Sequence, residues 1–186
     1  MIIWINGTFG AGKTTTAKKL NRKLPNSFVY DPENVGYFIR RNTNGLFADV
    51  DFQNIPLWRE MNYKILRMIS EKYDGVIIVP MTLVNPEYYN EIVERLIRDG
   101  VEINHYILYV KPEEVKRRLR RRRMRMLFTR NTDFELAALD RCVYAFDNLI
   151  TDTKIYTEGM SVNSVAEKIA ELSGLRLSSG KRRTAP

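Results

Sequence analysis

Short apolar runs alternate with longer stretches of helical periodicity along nearly the whole chain. Ile2-Ile3-Trp4-Ile5 predicts a strand, and the stretch Lys13 to Leu24 predicts a helix. Ser27-Phe28-Val29-Tyr30 reads as a second strand, followed directly by Asp31-Pro32-Glu33. A helical stretch around Gln53 to Lys72 precedes a third strand, Gly75 to Val79, and Pro86 to Arg98 reads as the next helix. Tyr106 to Val110 is the fourth strand, and a basic helix runs on from Glu113. Asp133 to Leu149 is helical, Lys154-Ile155-Tyr156 is a short fifth strand, and Ser161 to Leu172 is the last helix. Strands separated by helices pair in parallel through right-handed crossovers, because only a helix-length connection returns the chain to the same end of a sheet. The pattern therefore predicts an α/β fold of three α/β/α layers with a five-stranded parallel sheet. Residues 1–175 are expected to form a single domain. Residues 176–186 lack periodicity and carry Gly180 and Lys181-Arg182-Arg183, which predicts a disordered basic tail.

At 186 residues, 44% hydrophobic and 28% charged, the chain has room for one core and no second full domain. The N-terminal apolar run is too short for a signal peptide, and no segment approaches the roughly 20 apolar residues of a membrane span. The single cysteine, Cys142, has no partner for an internal disulfide, which fits a reducing cytoplasm, the expected location. A small buried apolar role suits it better than that of a nucleophile.

Gly7-Thr8-Phe9-Gly10-Ala11-Gly12-Lys13-Thr14 fits the phosphate-loop pattern G-x-x-x-x-G-K-[ST], with Thr15 next in line. The context is the required one, a strand before and a helix after. Triphosphate binding needs backbone NH groups that converge on the ligand, so the loop must turn tightly and approach closely, as Gly7, Gly10 and Gly12 permit. The following helix aims its unpaired NH groups at the same phosphates. Lys13 is expected over the β- and γ-phosphates of ATP, and the Thr14 hydroxyl on Mg²⁺. The fold expected is thus that of a P-loop NTPase.

Ligands of such sheets lie at the carboxyl ends of the strands. Asp31 follows the second strand immediately, so it and Glu33 are candidates to orient or deprotonate an accepting hydroxyl, with Asp31 also helping to hold Mg²⁺ through water. Asp-Pro-Glu is equally a favourable helix start, and one residue can do both. The third strand ends Val79-Pro80-Met81-Thr82, without the Asp that motor ATPases and many GTPases place there, and no N-K-x-D guanine signature is present. A small kinase is the better reading.

Eight basic residues and no acidic one lie between Lys116 and Arg125, and they match the whole net charge of +8. The apolar stripe of Val115 and Leu119 would continue at position 122 or 123, but both are arginine, so the helix is expected to leave the core and project over the site as a basic lid, about residues 116–135. Arg118, Arg120 and Arg122 are candidates to neutralise the transferring phosphoryl group, with Arg118 and Arg122 foremost. A solvated basic face is the competing reading for most individual arginines. A nucleic-acid patch is disfavoured, because the charge wraps around one helix with no stacking aromatics between.

Weaker features have two readings each. His105 suits a structural role better than a catalytic one. Trp58 and Tyr63 line either a substrate cleft or the core. The Thr82 hydroxyl either faces the site or caps the following turn.

Taken together, several segments resemble the tunicamycin-resistance ATP-binding proteins of the TmrB type. They are Ile2-Ile3-Trp4-Ile5-Asn6-Gly7 with Phe9-Gly10 and Gly12-Lys13-Thr14, and Val29-Tyr30-Asp31-Pro32-Glu33 with Gly36. Asp51-Phe52-Gln53 with Pro56-Leu57-Trp58-Arg59, and Ile78-Val79-Pro80-Met81-Thr82 with Pro86-Glu87-Tyr88, also resemble it. So do Arg118-Leu119-Arg120, Asp140-Arg141-Cys142 and Val165-Ala166-Glu167. The resemblance spans most of residues 1–172, but fits poorly over Met124 to Glu135 and the tail. It implies a nucleotide-kinase-like protein that uses ATP and Mg²⁺ and acts on tunicamycin, an antibiotic containing uridine and amino sugars, or on a related nucleoside or sugar. Two outcomes stand side by side: phosphorylation of an acceptor hydroxyl, or ATP-dependent sequestration of the drug without modification. The resemblance adds Arg141 as a reserve candidate and implies no oligomeric state.

Overall fold

The structure, a computed structural model, describes residues 1–125 and 132–178, with side chains 122–134 outside that description. In chain order the elements are β1 (Ile2–Gly7), α1 (Lys13–Lys23), β2 (Ser27–Val29), α2 (Glu33–Asn42), a 3-10 turn (Phe52–Asn54), α3 (Pro56–Lys72) and β3 (Val76–Pro80). There follow α4 (Pro86–Tyr89), a π-wound turn (Asn90–Glu94), α5 (Arg95–Arg98), β4 (Ile103–Tyr109), α6 (Pro112–Arg125), α7 (Thr132–Ala137), α8 (Leu139–Asn148), β5 (Thr153–Tyr156) and α9 (Val162–Leu172). The strands form one parallel sheet in the order β2-β3-β1-β4-β5.

The continuous apolar runs of β1 and β3 have a direct cause. Both strands are covered by helices on both faces, so neither residue of an alternating pair meets water. Ile3, Ile5 and Ile78 face one way and pack with Ala17, Leu20, Val165 and Ile169 of α1 and α9. Ile2, Trp4, Ile77 and Val79 face the other way, against Val35, Ile39, Trp58, Leu66 and Leu96 of α2, α3 and α5. The three layers are as expected.

Local boundaries differ where backbone pairing outweighs side-chain pattern. β4 begins at Ile103 because Ile2 pairs with it at the start of the ladder. The Gln53 to Lys72 stretch resolves into the 3-10 turn and α3, which starts at Pro56, where a missing NH costs nothing. Asp133 to Leu149 is two helices, parted at Ala138. α2 was legible only as its start. Ser178 donates its backbone NH to the Lys23 carbonyl at 2.8 Å, and residues 179–186 of the expected tail lie outside the described residues. No helix among the described residues is long and apolar enough to cross a membrane.

Candidate active site

β1 delivers its last residue, Gly7, to the carboxyl edge of the sheet, and the loop from Thr8 to Gly12 turns there into α1. Gly7, Gly10 and Gly12 have φ of 142°, 79° and 100°, backbone that side chains resist. A Cβ on Gly7 would stand 2.7 Å from the Leu108 carbonyl oxygen. The root of the loop is braced by Asn6, fully buried, whose Oδ1 accepts from the NH groups of Gly7 at 2.9 Å and Leu83 at 3.0 Å, while Nδ2 donates to the Leu83 carbonyl at 2.7 Å. Thr82 Oγ1 donates to the Gly7 carbonyl at 2.9 Å. Its hydroxyl is thus a buried brace across β1 and β3, neither free in the site nor a cap for the turn beyond it.

α1 begins with no acidic residue in its first turn and no side chain capping its NH groups, so these remain for an anion. Thr14 and Thr15 on that turn are exposed. Lys13 Nζ donates to the carbonyls of Gly7 at 3.0 Å and Thr8 at 2.9 Å and lies 5.6 Å from the centroid of the Phe9 ring. Its ammonium is therefore held at the mouth of the loop. A single loop hydroxyl suits Mg²⁺, which keeps several waters and leans on substrate phosphates rather than on a protein cage. No group of three or more His, Cys, Asp or Glu able to hold a metal occurs among the described residues.

α6 lies against this loop through Val115 and Leu119, both buried. Beyond Leu119 the described positions Arg120 and Arg121 are exposed. Arg118 Nε pairs with Glu114 Oε1 at 2.8 Å, and Arg117 Nε with Glu114 Oε2 at 2.6 Å. The hydrogen bonds from Arg117 first, then Arg118, hold the Glu114 carboxyl down to about 2. Arg118 is therefore turned along its own helix, toward a carboxylate and not toward the loop. The side chain of Arg122 lies outside the described residues, as does part of the expected lid.

Asp31 and Glu33 stand at the carboxyl end of β2, on the same edge of the sheet as Gly7. Asp31 Oδ1 accepts from the Glu33 NH at 3.0 Å, so the capping contact is made, and Glu33 Oε2 accepts from the Tyr37 hydroxyl at 3.3 Å. Among the described residues neither carboxylate hydrogen-bonds to the phosphate loop.

Beside the loop opens a cleft of about 300 Å³. One wall is the 3-10 turn and the start of α4, with Asp51, Gln53, Asn54, Asn85 and Tyr88; the other is α8, with Arg141, Tyr144 and Leu149. Arg59, nearly buried, fixes the first wall: its guanidinium bonds Glu91 at 2.6 Å and lies 4.2 Å from the centroid of the Tyr88 ring. Phe9 of the loop packs against the buried cluster of Val84, Cys142 and Ala145, and Val84 and Ala145 line this cleft. Burial pushes the Cys142 thiol up, the charges of Lys13 and Arg141 oppose that, and Asp51 adds to it.

Trp58 and Tyr63 are buried and neither lines the cleft beside the loop: Trp58 is fully buried with Nε1 donating to the Pro32 carbonyl at 3.0 Å, while the Tyr63 hydroxyl donates to Asp99 and its side chain edges a separate surface pocket with Arg67 and Arg95. His105 is not the partnerless histidine its sequence position suggests, since it meets Tyr89 and Asp152. The cleft residues Asn54, Asn85 and Tyr144 escaped the sequence reading. The helix was read as starting at Pro86, and Asn85 before it proves to be its cap, with Oδ1 accepting from the Glu87 NH at 2.9 Å.

The AAA domain family matches residues 2–149. The chain is similar to the tunicamycin resistance protein of Deinococcus radiodurans, at 32% identity over 96% of this chain and 98% of that one, with a TM-score of 0.78. It shares its fold with shikimate kinase from Bacteroides thetaiotaomicron, at 22% identity over 94% and 99% of the two chains, TM-score 0.60. Deoxyadenosine kinase from M. mycoides shows the same fold at 18% identity over 94% and 99%, TM-score 0.57. No curated protein sequence matched the chain.

Proposed function

Because the chain belongs to the AAA domain family and to the tunicamycin-resistance proteins, we propose that it is an ATP-dependent phosphotransferase that phosphorylates a hydroxyl of tunicamycin or of a related nucleoside or sugar. The observation that carries this reading is the adjacency of two sites of different chemistry. A phosphate loop with Lys13 at its mouth adjoins a cleft lined by amides, Asp51 and Arg141: Phe9 of the loop packs against the cluster of Val84, Cys142 and Ala145, and Val84 and Ala145 line the cleft. A kinase needs such a pair, since reacting groups gain rate from being held together.

In this reading the loop NH groups and the first turn of α1 hold the β- and γ-phosphates, and Lys13 leaves the Gly7 and Thr8 carbonyls to neutralise them. The Thr14 hydroxyl and Asp31 would hold Mg²⁺, which would supply further charge neutralisation when bound. Asp31 accepts the proton of the acceptor hydroxyl, with Glu33 as its neighbour. The acceptor oxygen bonds to the γ-phosphorus as the bridge to the β-phosphate breaks, and ADP leaves. Arg118 or Arg122 steadies the transferring group once released from contacts along α6. Residues 1–175 act as one kinase-like unit, in the cytoplasm, with no part for nucleic acid.

One observation favours a second reading. Asp31 spends an oxygen on the start of α2, and a carboxylate used only as a cap would leave a protein that binds ATP and the drug without transfer. Mass spectrometry of tunicamycin incubated with protein, ATP and Mg²⁺ separates the two: an added phosphate supports transfer, and unmodified drug retained only with ATP supports sequestration.

A further inference from the structure

Tyr89, His105 and Asp152 meet beneath the cleft, brought there by three separate parts of the chain. Tyr89 ends α4, His105 is on β4, and Asp152 lies between α8 and β5. The His105 side chain is only 3% exposed, and its Nδ1 lies 2.6 Å from Asp152 Oδ2. The Tyr89 hydroxyl donates to the same oxygen at 3.0 Å and lies 3.2 Å from Nδ1. An ionised carboxylate only accepts, so both the imidazole and the phenol donate to it. This assigns the ring proton to Nδ1 and leaves Nε2 buried with no partner among the described residues. The hydrogen bond from His105 is the main influence holding the Asp152 carboxyl below its ordinary value, and burial followed by the Asp152 charge pushes the Tyr89 phenol up.

None of the three lines the cleft itself, but each is joined through the chain or its packing to a different side of it. Tyr89 directly follows Tyr88 on one wall, and Asp152 comes shortly after Leu149 at the end of the α8 wall. His105 precedes Ile107 by two residues on β4; Ile107 is buried with Val84, Cys142, Ala145, Phe146 and Ile150, Tyr89 packs against that cluster, and its Val84 and Ala145 line the cleft. Apolar contact is non-directional and would hold the walls together over a range of spacings. Hydrogen bonds converging on one charged oxygen fix a single spacing, and a buried network of this kind specifies an arrangement that packing leaves open.

We propose that the contact among Tyr89, His105 and Asp152 is a tie that sets the width of the acceptor cleft, which makes the three positioning residues for the acceptor. The proposal rests on the cleft being the acceptor site. It also makes a claim independent of any acceptor: cutting the tie lets α8 lift from the sheet and exposes Cys142 on the buried face of that helix.

The test is alkylation of Cys142 by iodoacetamide in the full-length protein, read beside binding of tunicamycin in the presence of ATP. Tyr89→Phe removes one hydroxyl, and Asp152→Ala removes the shared acceptor. Both should speed alkylation about 10-fold and weaken tunicamycin binding about 10-fold, as loss of a hydrogen bond to a charged group does, with ATP affinity within about 2-fold. The acceleration should be independent of low denaturant, the signature of local opening. His105→Asn keeps a donor at the place of Nδ1 and should retain wild-type alkylation, whereas His105→Leu should behave as Tyr89→Phe. Wild-type alkylation in a folded Tyr89→Phe protein, or acceleration that merely follows global stability, overturns the tie. If wild type binds no tunicamycin with ATP, the acceptor reading fails by itself, and alkylation alone decides the tie.

Discussion

Leu119 of the basic helix packs directly on Gly10 of the phosphate loop, so that a Cβ at residue 10 would come within 3.2 Å of the Leu119 side chain. The basic helix is thus rooted on the loop itself. Movement of one is felt by the other.

Gly10→Ala should therefore act twice. Alanine resists the φ of 79° at a cost of about 1–2 kcal/mol, and its methyl presses on Leu119. The expected outcome is a lower melting temperature and ATP affinity reduced by at least an order of magnitude. Leu119→Ala should destabilise the Gly10→Ala protein less than it destabilises wild type, because the buried side chain it truncates is the one the new methyl presses on, and a double-mutant cycle by calorimetry reads that coupling.

Lys13→Ala and Lys13→Met should abolish tight ATP binding in a folded protein. Both remove the ammonium now held by the Gly7 and Thr8 carbonyls and leave the Asn6 brace intact. Unchanged ATP affinity by titration calorimetry, with native circular dichroism, would reject the phosphate-loop assignment.

At Asp31 the demands of cap and base separate. Asparagine keeps an oxygen to accept from the Glu33 NH, so Asp31→Asn should hold its melting temperature, whereas Asp31→Ala should lose about 0.5–2 kcal/mol. Asparagine cannot take a proton, so transfer should fall by about two to four orders of magnitude with ATP affinity retained. Full transfer in a stable Asp31→Asn protein would move the role of base to Glu33.

Arg118 serves Glu114 at rest and, in the proposed reaction, the phosphoryl group. Arg118→Lys should lower turnover more than ATP affinity, since lysine loses the planar fork. The pairing also sets a pH dependence. The Glu114 carboxyl is depressed from 4.5 to about 2, so the contribution of its pairs to α6 is present above pH 4.5 and lost as pH falls toward 2. Helicity of wild type followed by circular dichroism over that window should carry this loss, and Glu114→Gln should lack it.

The order of elements, the parallel sheet and the phosphate loop were legible in the sequence because each rests on local physics. Apolar runs such as Ile2 to Ile5 must be buried on both faces, and Gly7, Gly10 and Gly12 are needed wherever a backbone must turn with positive φ around a phosphate. The capping contact of Asp31 was equally local, spanning two residues. What joins distant positions was decided only by the tertiary structure. Thr82 braces Gly7 across 75 residues and Asn6 braces Leu83 across 77, and no spacing rule links such pairs. His105 gained Asp152 across 47 residues, and Asp51 came to share a cleft with Arg141, because helices returning to one sheet bring their ends together whatever lies between. Periodicity reports which face of an element is buried; only the packed sheet determines what that face meets.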